Sequence, residues 1–357
     1  MKKHNFTAGP CILDEGVIKE AARAVLNYNG TDLSVIEISH RSKTFQDTLA
    51  ETTALFKEVL EIPDTHTVFF LGGGASLQFY AHAVNFLKKK AAYVDTGNWA
   101  HKAIEEAKVV GDVDVIASSR DDNYTFYPEL PKLSPDEYDY LHFTTNNTIY
   151  GTELREDPEV GVPLIADMSS DIFTRHIDFS KYICIYGGAQ KTLPPAGVTF
   201  VIVRKDALGK TGRAIPKILD YQTHVDHPDS YNTPPVFQIY VMQQTLKWFK
   251  EIGGLDELEK RAKERAKVLY DEIDRSKVFR GVARKEDRSL MNVDFVLADE
   301  YKDKEAEFFD FAKKRGMEGI KGHRSIGGCR CPLYNALPLY SVEALVKCMQ
   351  DFEKEIL

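Results

Sequence analysis

The sequence predicts an α/β protein: a mainly parallel, seven-stranded sheet sandwiched by helices, followed by a smaller α+β region. Three observations predict it. Seven short apolar runs recur at residues 68–71, 92–95, 113–117, 138–143, 163–167, 182–186 and 198–203. Helical or loop segments separate most of them, the pattern of strands buried on both faces. At 357 residues the chain is long for one hydrophobic core. Residues 14–254 are therefore expected to form a large domain and 255–357 a small one, joined by segment 1–13. The last two apolar runs lie close together, so one of them is expected to run antiparallel at an edge or next to it.

Taken in order, Phe6-Thr7-Ala8-Gly9-Pro10 is a turn, and 17–26 has a helical pattern broken at 27–30. Ile36-Glu37-Ile38-Ser39-His40-Arg41-Ser42 is a polar loop with a His-Arg pair. Residues 45–60 form a strongly periodic amphipathic helix that stops before Pro63. After the strands, 205–235 is irregular and rich in Pro, Asp, His and Asn, and long loops of this kind usually carry function. Residues 236–250 are helical, Gly253-Gly254 punctuates the chain, and 255–275 is a long charged helix. Beyond it come a strand at 292–297, a helix at 304–315, a loop or strand at 324–332, and a closing helix at 342–356.

Composition narrows the function classes. A net charge of −8 argues against nucleic acid as a partner, while leaving room for local basic pockets. The opening Met1-Lys2-Lys3-His4-Asn5-Phe6 is basic, but Gly9-Pro10 interrupts before any apolar region, so no signal peptide is expected. No apolar run approaches the ~20 residues that cross a bilayer. Five cysteines without framework spacing fit a reducing cytoplasm. Cys329-Arg330-Cys331 has neither redox nor zinc-site spacing, and no metal site is expected.

The chemistry gathers at strand ends. In Tyr182-Ile183-Cys184-Ile185-Tyr186-Gly187-Gly188-Ala189-Gln190-Lys191-Thr192-Leu193-Pro194-Pro195 an apolar run ends in two glycines, and a lysine follows in a proline-fixed turn. Ligands of open α/β sheets sit at the carboxyl ends of strands, and a partly desolvated lysine is a good nucleophile. Phe69-Phe70-Leu71-Gly72-Gly73-Gly74-Ala75-Ser76 reads as strand, glycine turn and helix start. It is either a phosphate cradle or a close-packed turn, and it is neither GxGxxG nor a Walker A loop. Asp167 ends the run Pro163-Leu164-Ile165-Ala166, as a helix cap or as the partner of a protonated ring nitrogen. Trp99 follows Asp95-Thr96-Gly97-Asn98, for core packing or for stacking on a planar ring. Thr148 offers a hydroxyl after a fourth strand. Each signal alone is ambiguous. Their convergence on one sheet, in the order cradle, Trp, Asp, Lys, is that of a pyridoxal-phosphate enzyme.

The motifs resemble the phosphoserine aminotransferase family, within the class V, fold-type-I pyridoxal-phosphate aminotransferases. Matching segments run nearly end to end: Asn5-Phe6-Thr7-Ala8-Gly9-Pro10, Glu37-Ile38-Ser39-His40-Arg41-Ser42, Gly73-Gly74-Ala75-Ser76, Thr96-Gly97-Asn98-Trp99, Ala166-Asp167-Met168-Ser169-Ser170, Gly188-Ala189-Gln190-Lys191, Tyr231-Asn232-Thr233-Pro234-Pro235, Lys321-Gly322-His323-Arg324 and Tyr334-Asn335-Ala336. The resemblance implies Lys191 as Schiff base and proton shuttle, Asp167 on the pyridine nitrogen and Trp99 on the ring. It implies Thr148 near the ring hydroxyl, Gln190 against the cofactor, and Ala75 and Ser76 on its phosphate. Asn232 and Thr233 would reach that phosphate from the other subunit of a homodimer with shared active sites. Arg330 would hold the substrate α-carboxylate, and His40, Arg41, His323 and Arg324 would gather around the side-chain phosphate. The implied reaction converts phosphohydroxypyruvate and glutamate to phosphoserine and 2-oxoglutarate in serine biosynthesis, with the phosphorylated threonine analogue of vitamin B6 biosynthesis as a related substrate.

Departures from the family's pattern are Gly72, Thr192-Leu193-Pro194 after the lysine, and the cysteines flanking Arg330. Other readings are an alanine–glyoxylate-type aminotransferase, a cysteine desulfurase, for which Cys329 and Cys331 are candidates by position, and a non-catalytic cofactor-binding homodimer. The two His-Arg pairs fit an anionic substrate better than these.

Overall fold

The structure, a computed structural model, describes residues 3–324 and 326–357; Met1 and Lys2 of the basic opening run lie outside the described residues. The chain opens with β1 (His4–Asn5), then α1 (Glu15–Leu26). Asp14 caps α1 by accepting from the Gly16 and Val17 amides, satisfying donors that have no intrahelical partner. Ser42 does the same for α2 (Lys43–Val59), accepting from the Phe45 amide at 3.3 Å. The α/β alternation then begins: β2 (His66–Leu71), α3 (Gly74–Phe86), β3 (Lys90–Asp95), α4 (Asn98–Lys108), β4 (Asp112–Ser118) and β5 (Leu141–Thr144). A small hairpin of β6 (Asn146–Asn147) and β7 (Thr152–Glu153) precedes β8 (Leu164–Asp167), β9 (Tyr182–Gly188) and β10 (Thr199–Arg204).

The seven apolar runs are the seven strands of one sheet, ordered β2-β10-β9-β8-β5-β3-β4. Five strands from β4 to β9 run parallel, and β10 lies antiparallel to both β9 and the edge strand β2. The antiparallel strand is next to an edge, as the short connection from β9 to β10 predicts. Among the strand boundaries that differ from expectation, two have plain physical reasons. The fourth run starts as strand only at Leu141, because the Asp139 carboxylate is turned to accept from the Lys88 and Lys89 amides. The fifth begins at Leu164, since Pro163 cannot donate to a ladder.

Both faces of the sheet are covered. Leu164, Ala166, Phe200 and Ile202 pack toward Phe45, Phe56, Leu246 and Phe249, while Ile165, Val201 and Val203 pack toward Phe79, Ala103 and Ile104. Successive residues of a strand point to opposite faces, so two-sided burial produces the continuous apolar runs. Residues 205–235 are irregular as expected, except for the short helix α5 (Tyr221–Asp226), capped by Asp220.

Helices α6 (Val236–Glu251) and α7 (Gly254–Arg275) lead to a second core. It is built on the antiparallel strands β11 (Phe279–Gly281) and β12 (Asn292–Leu297), helix α8 (Glu305–Lys314), the short β13 (Met317–Glu318), β14 (Cys329–Pro332) and helix α9 (Leu339–Ile356). The order β11-β12-β14 makes a three-stranded sheet. Phe295, Leu297, Phe308, Leu345, Met349 and Phe352 fill this core together with Phe6 from the amino-terminal segment. That segment adds β1 parallel to β13, pairing His4 with Met317 and Asn5 with Glu318.

Candidate active site

Strand register puts the chemistry at one end of the large sheet. Thr199 pairs with Leu71 on one side and Gly188 on the other. The glycine turn after β2 and the lysine turn after β9 are therefore level, two strand spacings or roughly 10 Å apart. Thr144, Asp167 and Tyr186 form a second row across β5, β8 and β9. Thr148, just past β5, Asp167, at the end of β8, and Lys191, just past β9, are thus brought together at one end of the sheet.

Lys191 is 9% exposed, and its Nζ donates to Thr148 Oγ1 at 2.8 Å. Burial lowers its pKa to about 8; Asp167 opposes that and Arg330 adds to it. Asp167 is buried, and burial pushes its carboxyl up while Lys191 and Ser169 pull it down. Ser169 fixes Asp167: its amide and hydroxyl both donate to Oδ1, at 2.9 and 2.6 Å. The same hydroxyl accepts from the Gly188 amide at 3.0 Å, tying β8 to the end of β9. Thr148 Oγ1 donates to Ser170 Oγ at 3.1 Å, which donates to the Asn146 carbonyl at 2.9 Å. This hydroxyl chain orients Thr148 toward the lysine. The ring of Trp99, in the first turn of α4, lies 5.7 Å from Lys191 Nζ, and its indole Nε1 is buried without a partner among the described residues.

The glycine turn is a cradle. Gly73 caps α3 with φ 92° and Gly74 opens it with φ 65°. No side chain caps this helix end, so its first amides are left for an anion. A Cβ on Gly72 or Gly74 would meet nothing within 4 Å, so space is open ahead of the amides. Ala75 is half-buried and Ser76 exposed beside it. Gln190 packs against Gly9, and its carbonyl accepts from the Cys11 amide at 3.1 Å. Buried amine, fixed carboxylate, neighbouring indole and open helix amino terminus together fit an aldehyde cofactor with an aromatic ring and a phosphate.

Arg330, on β14, reaches in from the second core: Nη1 donates to the Thr148 carbonyl at 3.4 Å. His323 is half-buried, and burial, Arg330 and Arg324 lower its pKa; Arg324 is exposed. His40, Arg41, Asn232 and Thr233 form a different group. Arg41 Nη1 bonds Asp229 Oδ2 at 2.9 Å, and the Gln46 side chain ties the His40 carbonyl to the Asp229 carbonyl at 2.5 and 3.2 Å. Asn232 and Thr233 are exposed three and four residues beyond Asp229. These hydrogen bonds and ion pairs reach neither Lys191 nor Asp167.

Sequence reasoning missed several contributors. Asp171 is 3% exposed, accepts from Thr145 Oγ1 at 2.7 Å, and is pushed up to about 7 by burial and by Glu153. Asn335 donates to the Thr192 carbonyl at 3.1 Å and braces the lysine turn. Cys11 Sγ donates to the Lys191 carbonyl at 2.6 Å. The polar run Ser169-Ser170-Asp171 after a buried strand was the available signal for the first; nothing local marks Cys11.

The family model described as aminotransferase class-V matches residues 4–343. A phosphoserine aminotransferase from Bacteroides fragilis is 60% identical over 354 residues, 99% of each chain. The solved phosphoserine aminotransferase of Bacillus circulans subsp. alkalophilus superposes with a TM-score of 0.95 at 42% identity, covering 100% of this chain and 99% of that one. The phosphoserine aminotransferase of Trichomonas vaginalis, solved with PLP bound, has a TM-score of 0.89 at 35% identity, covering 98% and 100%.

Proposed function

Because this chain belongs to the aminotransferase class-V family, we propose that it is an enzyme moving an amino group between glutamate and phosphohydroxypyruvate. The products are 2-oxoglutarate and phosphoserine, a step of serine biosynthesis. The carrying observation is the buried Lys191 amine, hydrogen-bonded to Thr148 and set beside the fixed carboxylate of Asp167. Bound pyridoxal phosphate supplies an aldehyde that condenses with amino groups and a protonated ring that draws electrons from the substrate α-carbon.

This chain's residues do the rest. Asp167, held by Ser169, would set its carboxyl against the ring nitrogen and hold the proton there. Trp99 would stack on the ring. Thr148 and Gln190 would hold its edge, and the amides of Ala75 and Ser76, with the Ser76 hydroxyl, would receive the phosphate. Lys191, with its pKa lowered to about 8, is a competent base near neutral pH and would carry the proton between the substrate α-carbon and the C4′ carbon of the cofactor. Arg330 receives the α-carboxylate in a bidentate fork, while His323 and Arg324 face the distal anion. We assign His40, Arg41, Asn232 and Thr233 to the partner's active site in a homodimer. Arg41 directly and His40 through Gln46 are tied to Asp229, three residues before Asn232, rather than to Lys191, which supports that reading. We read residues 14–254 and 255–357 as large and small domains. The described residues include no helix long and apolar enough to cross a membrane, and we place the protein in the cytoplasm, where five free, buried cysteines belong.

A desulfurase needs an accessible thiolate. Cys329 and Cys331 are buried, and burial pushes both thiols well up, which disfavours that chemistry. The test is the visible spectrum of the purified protein after separate additions of O-phosphoserine, glutamate and alanine. Bleaching of a yellow protein by the first two but not by alanine is expected. Bleaching by alanine alone would move the substrate elsewhere in the family. A protein left colourless by added pyridoxal phosphate would refute the cofactor.

A further inference from the structure

Asp294 lies on β12 directly opposite Arg330 on β14, in an antiparallel pair. The two side chains leave the same face with Cβ atoms about 5 Å apart. Asp294 is 4% exposed, and neither carboxylate oxygen has a hydrogen-bond partner among the described residues; Arg330 Nε is likewise buried and unpartnered. A Cβ on Gly151 would lie 3.1 Å from Asp294 Oδ2. The carboxylate therefore packs under the turn whose Thr148 carbonyl accepts from Arg330 Nη1. A buried carboxylate with no hydrogen bond is costly and calls for a role.

We propose that Asp294 is a built-in counter-charge to Arg330 that a substrate α-carboxylate supersedes, so that carboxylate binding at Arg330 is coupled to uptake of one proton by Asp294. The inference rests on the reading of Arg330 as the partner of the α-carboxylate. The titratable groups around Asp294 are Arg330, Cys329 and Cys331 from β14, Tyr334 just beyond it, and Tyr270 from α7; of these Arg330 carries the positive charge. Burial pushes the Asp294 carboxyl well up and Arg330 pulls it down. A ligand carboxylate on Arg330 offsets that pull and adds a like charge, so the Asp294 pKa rises and the group takes a proton from solvent. Ligand affinity is then highest below the free-state pKa, falls about tenfold per pH unit up to the bound-state pKa, and levels off above it.

The test titrates the holoenzyme with glutarate, a dicarboxylate with no amino group to react, by calorimetry in two buffers of different ionisation enthalpy. Net proton uptake should fall by close to one per site in Asp294→Asn, a near-isosteric change. The variant should lose the slope with pH and bind glutarate more tightly than the unaltered protein at the alkaline end. Equal proton counts, or weaker binding at every pH, would overturn the proposal. In the unaltered protein, glutarate should also raise a protonated-carboxyl band in the infrared difference spectrum; its absence would overturn the proposal without any variant. Failure of the unaltered protein to bind glutarate at all would instead remove the reading of Arg330, and this inference with it.

Discussion

Lys191 is poised by what surrounds it rather than by a contacting acid: its hydrogen-bond partner is the Thr148 hydroxyl, and burial is the largest influence on its pKa. A lysine with pKa about 8 is mostly a free amine just above that pH. In cofactor-free protein, the rate of colour development with pyridoxal phosphate should therefore climb as pH rises to about 8 and flatten above it. A rate that keeps climbing past pH 10 would mark an ordinary, solvated lysine. At this scale the sequence is informative where a residue follows directly on a buried run, as Asp167 and Lys191 do. It is silent about Asp294, whose meaning comes from a register pairing with Arg330, thirty-six positions later. It is equally silent about Cys11, which reaches the Lys191 carbonyl across 180 positions.

Elements show the same division. All seven strands of the large sheet can be read from the chain, because burial on both faces leaves a continuous apolar signature. Strands β1, β6, β7 and β13 have two residues each and carry no periodicity at all. Helix α5 hides in a polar stretch where its Asp220 cap is one acid among several. The end of β9 offers a direct test of packing. A Cβ on Gly187 would lie 2.5 Å from Phe200 Cζ and 2.8 Å from Ser169 Cα. Gly187→Ala should cost about 1–3 kcal/mol by overpacking, and should loosen cofactor retention, since Ser169 orients Asp167. Gly72→Ala, with nothing within 4 Å of the new Cβ, should change stability by less than about 0.5 kcal/mol. Chemical denaturation of the two variants measures the contrast.

For the whole molecule, the patch of His40, Arg41, Asn232 and Thr233 makes the prediction. If two copies complete each other's sites, Lys191→Ala and Arg41→Ala proteins, each nearly inactive, should regain activity when unfolded together and refolded. A mixed dimer then contains one site with both residues intact. No recovery, with mixed dimers demonstrated by mass, would place Arg41 in its own subunit's site. The amino-terminal segment also acts over the whole molecule. It is bonded to the second core through β13 and to the lysine turn through the Gln190 and Lys191 carbonyls. During synthesis on the ribosome, β1 emerges more than three hundred residues ahead of its partners, since His4 pairs with Met317. The brace on the catalytic turn therefore closes late, and a nascent chain stalled before β13 carries Lys191 and Asp167 without it.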